Sequence, residues 1–257
     1  MRSEAPPAPE PLVAWYRREG RDLPWRRTRD PWAILVSEVM LQQTQVARVL
    51  PFYTRFLERF PAPADCAAAP AGEVLRLWSG LGYPRRALAL HRAAGALARD
   101  GWPADLTELP GVGPYTAAAV GSFAFGRLVL ARDTNVGRVL ARTGMRVAEP
   151  SPELNQALME LGATVCTARA PRCGPCPVGA RCPSRGRVTA RPRRARRPRF
   201  EETDRYVRGR VMAALSGRGE WPQVAPERLE RALAGLARDG LIERCAGRVG
   251  LPGEPVG

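Results

Sequence analysis

The five residues Leu109-Pro-Gly-Val-Gly113 set the architecture that we expect for this chain. Proline and closely spaced glycines predict a tight turn between two helices, with glycine where φ is positive or where another backbone comes close. A helix is predicted directly afterwards, over residues 115–125. The exposed amides of the turn and of the helix start could then bind a phosphate oxygen without side-chain charge. A generic turn between helices is the alternative.

Helical patterning extends outward from this turn over most of the chain. Over residues 10–165, apolar side chains recur at three- and four-residue spacing, and Pro, Gly and Asp separate the segments. The clearest segment is 31–46, which begins with proline and carries Leu35, Val39 and Val46 on a core-facing stripe. No series of alternating strands is visible, so the sequence predicts an all-α domain.

Four of the six cysteines crowd together at the end of this helical region. Cys166, Cys173, Cys176 and Cys182 form a C-x6-C-x2-C-x5-C pattern, with Pro and Gly between them. Such a loop can fold around zinc or a 4Fe-4S cluster, since either binds four thiolates, and the spacing alone does not choose between them. In a reducing compartment, this crowding indicates metal binding rather than disulfides.

The charge of the chain favours a polyanionic partner. It contains 40 arginines and no lysine against 25 acidic residues, which gives a formal net charge of +15 and a pI near 11.0. This balance is typical of nucleic-acid binding, with an anionic membrane surface as the alternative. No apolar stretch is long enough to span a bilayer, and residues 1–11 lack the apolar core of a signal peptide. We therefore expect a soluble cytoplasmic protein.

Two carboxylates could carry chemistry. Asp133, in Arg132-Asp-Thr-Asn-Val136, precedes a predicted helix and could be only its N-cap. Glu38 interrupts the apolar segment 31–46, with Gln42 one turn later, and these two could be only its solvated side. However, a carboxylic acid in a pocket can donate a proton while a second carboxylate stays ionised beside developing positive charge. Cleavage of a base from deoxyribose requires such a pair.

Composition changes sharply after Cys182. Residues 185–199 form a Pro/Arg tract that can bury little, so we expect a linker there. Two amphipathic helices, 205–215 and 226–238, and an apolar hairpin within 240–251 follow, which is the order of a winged-helix module. We predict a first domain over 1–184, including the cysteine loop 166–182, then the linker, then a small α+β winged-helix-like module over 200–257.

Five motifs together resemble adenine DNA glycosylases of the MutY type, in the endonuclease III-like helix-hairpin-helix superfamily. They are Ser37-Glu-Val-Met-Leu-Gln-Gln-Thr-Gln-Val46, Leu77-Trp-Ser-Gly-Leu-Gly-Tyr83, the 109–113 turn, Asp133-Thr-Asn-Val136 and the cysteine loop. The resemblance implies two helical lobes with a cleft between them, a hairpin that grips DNA and a 4Fe-4S cluster. It further implies base excision repair: a monomer that acts at the bacterial nucleoid and excises adenine mispaired with 8-oxoguanine or guanine in double-stranded DNA.

The resemblance also assigns roles by motif position. It implies that Glu38 protonates adenine at N7, that Asp133 stabilises the oxocarbenium-like sugar, directly or through a transient covalent bond, and that Tyr115 and Asn135 support them by hydrogen bonding. The residues expected at the adenine pocket are Arg21, Leu23, Trp25, Arg26 and Gln156; those expected to contact DNA are Gln42, Gln43, Tyr83, Leu109, Gly111, Val112 and Gly113; those expected to bind the cluster are Cys166, Cys173, Cys176 and Cys182.

Related enzymes that also cut the DNA strand carry a lysine, which forms a Schiff base with the sugar, where this chain has Tyr115. Since the chain has no lysine, we predict a glycosylase without strong AP-lyase activity, which leaves an abasic site. Two features depart from the family: Pro84 stands where many relatives have an aromatic residue, and the chain is too short to hold the Nudix-like domain that helps to recognise 8-oxoguanine.

Two alternatives remain open at this point. One is a thymine or uracil mismatch glycosylase on the same scaffold, which can also carry tyrosine in the lysine position; the stretch Gln42-Gln43-Thr44-Gln45 favours adenine. The other is a non-catalytic DNA-binding protein whose metal loop senses redox state. The presence of both Glu38 and Asp133 within their motifs favours an enzyme.

Overall fold

Helices form where the apolar residues recur at helical spacing, as the sequence predicts. The computed structural model describes residues 7–187, 199–245 and 247–254, and in those residues it contains eleven α-helices and one two-stranded antiparallel hairpin. In chain order these are α1 (Glu10–Glu19), α2 (Pro31–Leu41), α3 (Val46–Arg59), α4 (Pro63–Ala68), α5 (Ala71–Trp78), α6 (Arg85–Asp100), α7 (Pro114–Phe125), α8 (Thr134–Thr143), α9 (Pro152–Thr164), α10 (Asp204–Leu215), α11 (Pro226–Arg238), β1 (Glu243–Cys245) and β2 (Arg248–Gly250).

Local capping residues define many of these helix ends. Ser151 accepts a hydrogen bond from the amide of Leu154 (3.1 Å) at the start of α9, and Pro114 occupies the first turn of α7. At their C-terminal ends, α7 and α8 each terminate in a left-handed glycine, Gly126 and Gly144. These signals are local in sequence, and the helix predicted over residues 115–125 is observed as α7, one residue longer at its start.

The described residues divide into two compact units, and the division falls within α2. The first unit contains residues 7–35 and 113–187, with α1, α7, α8, α9 and the cysteine loop. In it, α9 packs against α1, α7 and α8. Its core includes Leu12, Trp15, Val136, Val139, Leu154, Leu158 and Leu161. Burial of each such leucine or valine stabilises the fold by about 2 kcal/mol, so α9 anchors the elements that carry Asp133 and the cysteines.

The second unit contains residues 36–112 together with 199–245 and 247–254. Helix α6 packs against α4 and α5, and α10 packs against α11. The C-terminal part is joined to this unit by side-chain and backbone bonds: Arg76 donates to the carbonyl of Leu215 (2.9 Å), and the amide of Gly72 donates to the carbonyl of Pro252 (2.8 Å). The predicted order of two helices and a hairpin is observed, while the winged-helix-like identity of this segment stays a prediction.

One predicted helix is wrong at its C-terminal end. The segment 31–46 was expected to form a single helix, but α2 ends at Leu41 and α3 begins at Val46. The carbonyls of Val39 and Met40 accept hydrogen bonds from the guanidinium of Arg86 (2.8 and 3.0 Å), so a distant side chain replaces the amides of a further helical turn. Gln42 consequently lies beyond the helix that carries Glu38.

Of the predicted linker 185–199, residues 188–198 lie outside the described part of the chain. Within residues 7–187, 199–245 and 247–254, no helix combines the length and apolar character needed to cross a bilayer.

Candidate active site

Asp133 is held in a defined orientation at the start of α8. Its Oδ1 accepts a hydrogen bond from the amide of Val136 (2.6 Å), and its Oδ2 accepts one from Nδ2 of Asn135 (2.9 Å). Asp133 is therefore an N-cap, the structural role that its sequence position allowed. The cap also fixes a half-buried carboxylate in place, as a group that stabilises a transient cation requires.

A chain of hydrogen bonds connects this carboxylate to the cysteine loop. Oδ1 of Asn135 accepts from Nη2 of Arg138 (2.8 Å), which fixes the orientation of the amide that donates to Asp133. The same guanidinium donates to the carbonyl of Gly162 (2.7 Å) and, through Nε, to the carbonyl of Cys166 (2.9 Å). The backbone at the first cysteine thus helps to determine where the Asp133 carboxylate points.

A second carboxylate in the first unit, Glu160, was missed by the sequence analysis. Its side chain is 1% exposed and accepts from Nε and Nη2 of Arg21 (2.7 and 3.0 Å) and from Nη2 of Arg26 (2.7 Å). Burial raises the pKa of Glu160, but the hydrogen bonds and charges of the two arginines outweigh it and the pKa is lowered. The sequence signal that could have found it is an acid three residues after Ala157, within the buried stripe of α9.

The other predicted pocket residues of the first unit surround this ion-pair cluster. Leu23 and Trp25 are buried, and the guanidinium of Arg26 lies over the ring of Tyr16 (5.3 Å). Gln156 is half-buried on α9, one turn before Glu160. The segment 21–26 and α9 therefore bring two cations and one anion together, and an adenine pocket beside them stays a prediction.

Tyr115, on α7, lies against α9. Its hydroxyl donates a hydrogen bond to Sδ of Met159 (3.8 Å). The hydrogen bonds that Asp133 accepts from Asn135 and Val136 come from the first turn of α8, and a supporting role for Tyr115 stays a prediction.

The four cysteines of the loop line one pocket in the first unit. Burial raises the pKa of the Cys176 thiol, and charge repulsion from the other three cysteines raises it further. The four sulfurs are therefore close enough to interact electrostatically. Nη1 of Arg142 lies 3.6 Å from Sγ of Cys166, and Sγ of Cys182 donates to the carbonyl of Arg142 (3.4 Å). A Cβ at Gly179 would lie 3.0 Å from the carbonyl oxygen of Cys173, so a side chain there would crowd the pocket wall.

Four thiolates at one pocket are a donor set that either a zinc ion or a 4Fe-4S cluster can use. Within the described residues, no three Cys, His, Asp or Glu side chains form a ready-made site for one metal ion. The donor set is compatible with the 4Fe-4S cluster that the family resemblance implies.

Glu38 lies in the second unit and is buried. Its residue is 6% exposed, and every residue of α2 from Trp32 to Met40 is buried with it. The alternative that Glu38 belongs to a solvated helix face is therefore wrong. Fully buried glutamates are uncommon in proteins, and buried ionisable groups concentrate at functional sites.

Gln43 and Tyr83 share an unusual backbone conformation. Among the described residues, they are the two non-glycine residues with positive φ, at 56° and 50°. Both are exposed. Residues held in the left-handed region cost energy and cluster at functional sites, so this conformation supports the prediction that these two residues act on DNA.

The 109–113 turn has a buried and an exposed side. Leu109 and Val112 are buried, and Gly111 is exposed with φ of 79°. A Cβ at Gly111 would lie 2.6 Å from Cβ of Ala89. This glycine therefore has both features that the motif predicts, a positive φ and a close approach of another chain segment. Gly113 has neither feature: its φ is −88°, and nothing lies within 4 Å of a Cβ placed there. It is the N-cap residue of α7. A short 3-10 helix, Leu106–Glu108, precedes the turn.

Comparison with known proteins gives consistent results. A profile of the HhH-GPD superfamily of base excision DNA repair proteins matches residues 36–163. The adenine DNA glycosylase of Mycobacterium tuberculosis is 44% identical, with 95% of this chain and 93% of that protein covered. That of Mycolicibacterium smegmatis is 43% identical, with 96% and 97% covered. The human adenine DNA glycosylase is 42% identical over 65% of this chain, which spans 37% of the human protein.

Solved structures agree on the fold. The structure of a thermostable thymine-DNA glycosylase matches with a TM-score of 0.63 at 27% identity, covering 70% of this chain and 95% of that chain. A trapped endonuclease III-DNA covalent intermediate matches with a TM-score of 0.58 at 26% identity, covering 68% and 92%. Sequence identity is thus higher to the adenine DNA glycosylases than to the thymine-DNA glycosylase.

Proposed function

Because the chain belongs to the adenine DNA glycosylase family, within the HhH-GPD superfamily of base excision DNA repair proteins, we propose that it removes adenine from mispairs in duplex DNA with Glu38 and Asp133 as its catalytic pair. The observation that carries this assignment is the burial of Glu38 in α2, where the other buried residues, apart from Ser37, are apolar. Buried ionisable groups in an apolar setting concentrate at functional sites, which supports a chemical role for this carboxyl group.

Glu38 is the general acid in this proposal. It donates a proton to N7 of the extruded adenine, and the C1′–N9 bond breaks with its electron pair moving to the base. Neutral adenine leaves, and positive charge develops on the deoxyribose. The reaction follows the logic of glycoside hydrolysis, in which one carboxyl group protonates the leaving group while a second faces the sugar.

Asp133 is the second carboxyl group. Its orientation by Val136 and Asn135 supports a role as a fixed anion beside the sugar cation, either by charge alone or through a transient bond to C1′. Water then adds to C1′ and loses its proton to the Glu38 carboxylate, which restores the acid. The products are free adenine and an abasic site.

The cluster around Glu160 supports recognition of the base. Arg21, Arg26 and Gln156 offer donors, and the Glu160 carboxylate holds both arginines in place. Adenine presents ring-nitrogen acceptors and one exocyclic amino donor, so a wall with both kinds of partner can distinguish it from an apolar ring.

Duplex DNA is the macromolecular partner in this proposal. The net charge of +15 favours a polyanion, and the exposed turn at Gly111 offers backbone amides to a phosphate. Gln43 and Tyr83 are exposed and could enter the base stack around an extruded adenine. Solved structures of endonuclease III with DNA, both trapped and non-covalent, are among the matches.

A 4Fe-4S cluster is the proposed ligand of Cys166, Cys173, Cys176 and Cys182. When bound, it would supply metal-thiolate bonds that hold the four cysteines of the loop together directly after α9. The guanidinium of Arg142 donates to Sγ of Cys166 and to the carbonyls of Thr167 and Ala168 (2.7 and 2.9 Å), so α8 supports the loop. Arg169 and Arg181 are exposed on the loop and available to phosphates.

We also propose that the enzyme does not cut the strand. Tyr115 occupies the position of the Schiff-base lysine of strand-cutting relatives, and its hydroxyl donates to Met159. No lysine amine exists elsewhere in the chain. Without a lysine, only the N-terminal amine is left to form a Schiff base, so β-elimination at the abasic site lacks its usual covalent catalyst.

The test is base release from four duplexes by the full chain, purified with its cluster. They contain adenine opposite 8-oxoguanine, guanine or cytosine, and thymine opposite guanine, with alkali used to reveal abasic sites. We expect release of adenine from the first two and strand cleavage only after alkali. Release of thymine without adenine would support the thymine glycosylase alternative, and binding without any release would support the non-catalytic one.

A further inference from the structure

Arg86, on α6, donates hydrogen bonds to five acceptors in the second unit. Nη1 of its guanidinium donates to the carbonyls of Val39 (2.8 Å), Met40 (3.0 Å) and Gln42 (2.5 Å), and Nη2 donates to Oγ1 of Thr44 (3.1 Å) and the carbonyl of Gly82 (3.1 Å). One side chain therefore connects the end of α2, the turn after it and the loop before α6.

The first set of these bonds caps a helix. The last carbonyls of a helix have no partner within it and carry partial negative charge, so a cation there satisfies both needs. Val39 and Met40 supply two of these carbonyls in α2, and Glu38 directly precedes them. Arg86 thus holds the end of the helix that carries the proposed acid.

The hydrogen bonds of Arg86 to Gln42, Thr44 and Gly82 flank Gln43 and Tyr83, the two residues with positive φ. Gln43 lies between Gln42 and Thr44, both of which accept hydrogen bonds from Arg86. Tyr83 follows Gly82, which also accepts, and the guanidinium lies over the Tyr83 ring at 5.3 Å. The two non-glycine residues of positive φ in the described part of the chain are therefore fastened by the same group.

The guanidinium of Arg86 bonds to neutral groups. Within the described residues it forms no ion pair with a carboxylate, and its Nε, which is buried, has no hydrogen-bond partner. Burial lowers the pKa of the guanidinium to about 10, so the group remains cationic at neutral pH. Arg86 is half-buried, so partial desolvation of its charge costs stability, and the hydrogen bonds to the two loops offset that cost.

We propose that Arg86 is a positioning residue that holds Gln43 and Tyr83 in the fixed spatial relation needed to distinguish a mispaired from a paired adenine. This inference rests on the proposed function, because it assigns the mismatch-probing step to those two residues. The planar guanidinium group of arginine can donate to several acceptors at fixed angles and stack on an aromatic ring, whereas the ammonium group of lysine cannot reproduce this geometry. Without the guanidinium group, Gln43 and Tyr83 could both leave the left-handed backbone conformation.

The experiment compares Arg86→Lys with Arg85→Lys. Both variants keep the charge and are adjacent on α6, but Arg85 is exposed and has one loose ion pair with Asp239 (3.8 Å). The readout is the ratio of affinities for duplexes that hold an uncleavable adenine analogue opposite 8-oxoguanine or opposite thymine. For Arg86→Lys we expect the ratio to fall about tenfold while affinity for the matched duplex changes less than about twofold. Arg85→Lys is expected to retain the ratio.

A second variant covers the case in which Arg86→Lys does not fold, as judged by circular dichroism. Thr44→Val removes one acceptor of the guanidinium with little change of shape, and we expect a fall of about threefold in the ratio. If Arg86→Lys folds, an unchanged ratio of the two affinities, or an equal loss of affinity for both duplexes, would overturn the inference. If only Thr44→Val folds, an unchanged ratio in that variant would overturn it. Failure of the proposed function would be seen separately, as absent adenine release by the unaltered protein.

Discussion

Replacing the buried carboxylate Glu160 with glutamine tests the electrostatics of the first unit. Glu160→Gln keeps the size of the side chain but removes its charge, so the guanidinium groups of Arg21 and Arg26 lose their anion. An amide group can accept through its oxygen, but its NH2 group would face a guanidinium that also only donates. The substitution therefore removes an ion pair without creating a replacement.

The magnitude follows from the exposure of the two arginines. The side chain of Arg26 is 11% exposed, so its unpaired charge would stay largely desolvated, which costs about 3 kcal/mol. The side chain of Arg21 is 39% exposed, so water screens it and its share is discounted to about 0.5 kcal/mol. A loss of about 3 to 4 kcal/mol corresponds to a fall in Tm of about 10 °C for a protein of this size.

The assay is thermal unfolding at neutral pH, with Glu153→Gln as the matched control. Glu153 lies on the same helix and binds Arg17 with the same N–O distance of 2.7 Å, but that pair is 39% and 65% exposed. We expect the control to shift Tm by less than about 2 °C. Adenine release by Glu160→Gln, measured well below its Tm, is expected to fall at least about tenfold because the pocket wall loses its organising charge.

Equal Tm values for the two variants would refute the reasoning, because only burial distinguishes them. The pH dependence provides a second check. The folded protein lowers the pKa of Glu160 below its ordinary value of 4.5, so the carboxylate stabilises the fold above that pH. The difference in stability between the unaltered protein and Glu160→Gln should be constant from pH 8 to about 5 and should shrink as the pH falls through the folded pKa.

Three further substitutions have distinct expected results. Gly111→Ala places a Cβ 2.6 Å from that of Ala89 at φ 79°, so we expect matched and mismatched duplexes to bind about tenfold more weakly in a binding titration, with their ratio unchanged. Asn135→Ala removes one of the two donors to Asp133, so single-turnover adenine release should slow by about 10- to 100-fold with duplex affinity retained. Cys182→Ser should lower both iron content and Tm, because the loop loses a thiolate ligand.

The sequence predicts best those features whose causes are local. The helix 226–238 was predicted with its observed boundaries, since Pro226 marks its start and the apolar spacing marks its length. The N-cap role of Asp133 was likewise visible from the residues that follow it. The choice of iron over zinc came from the family resemblance, because spacing between cysteines carries no such information.

Features set by distant residues were missed. The end of α2 depends on Arg86, whose donors reach Val39 across 47 positions, so apolar periodicity alone extended the helix too far. Glu160 was overlooked because its partner Arg21 lies 139 positions away. The packing of the C-terminal segment with residues 36–112 depends on contacts such as that of Arg76 with Glu254, 178 positions apart.

The most direct test of the catalytic proposal is single-turnover release of adenine opposite 8-oxoguanine by Glu38→Gln and Asp133→Asn, with Glu153→Gln as an exposed control. We expect each catalytic variant to be slower by about a thousandfold, with duplex affinity within about threefold of the unaltered protein. Release by Glu38→Gln at a rate within a few-fold of the unaltered protein would contradict the assignment of the acid.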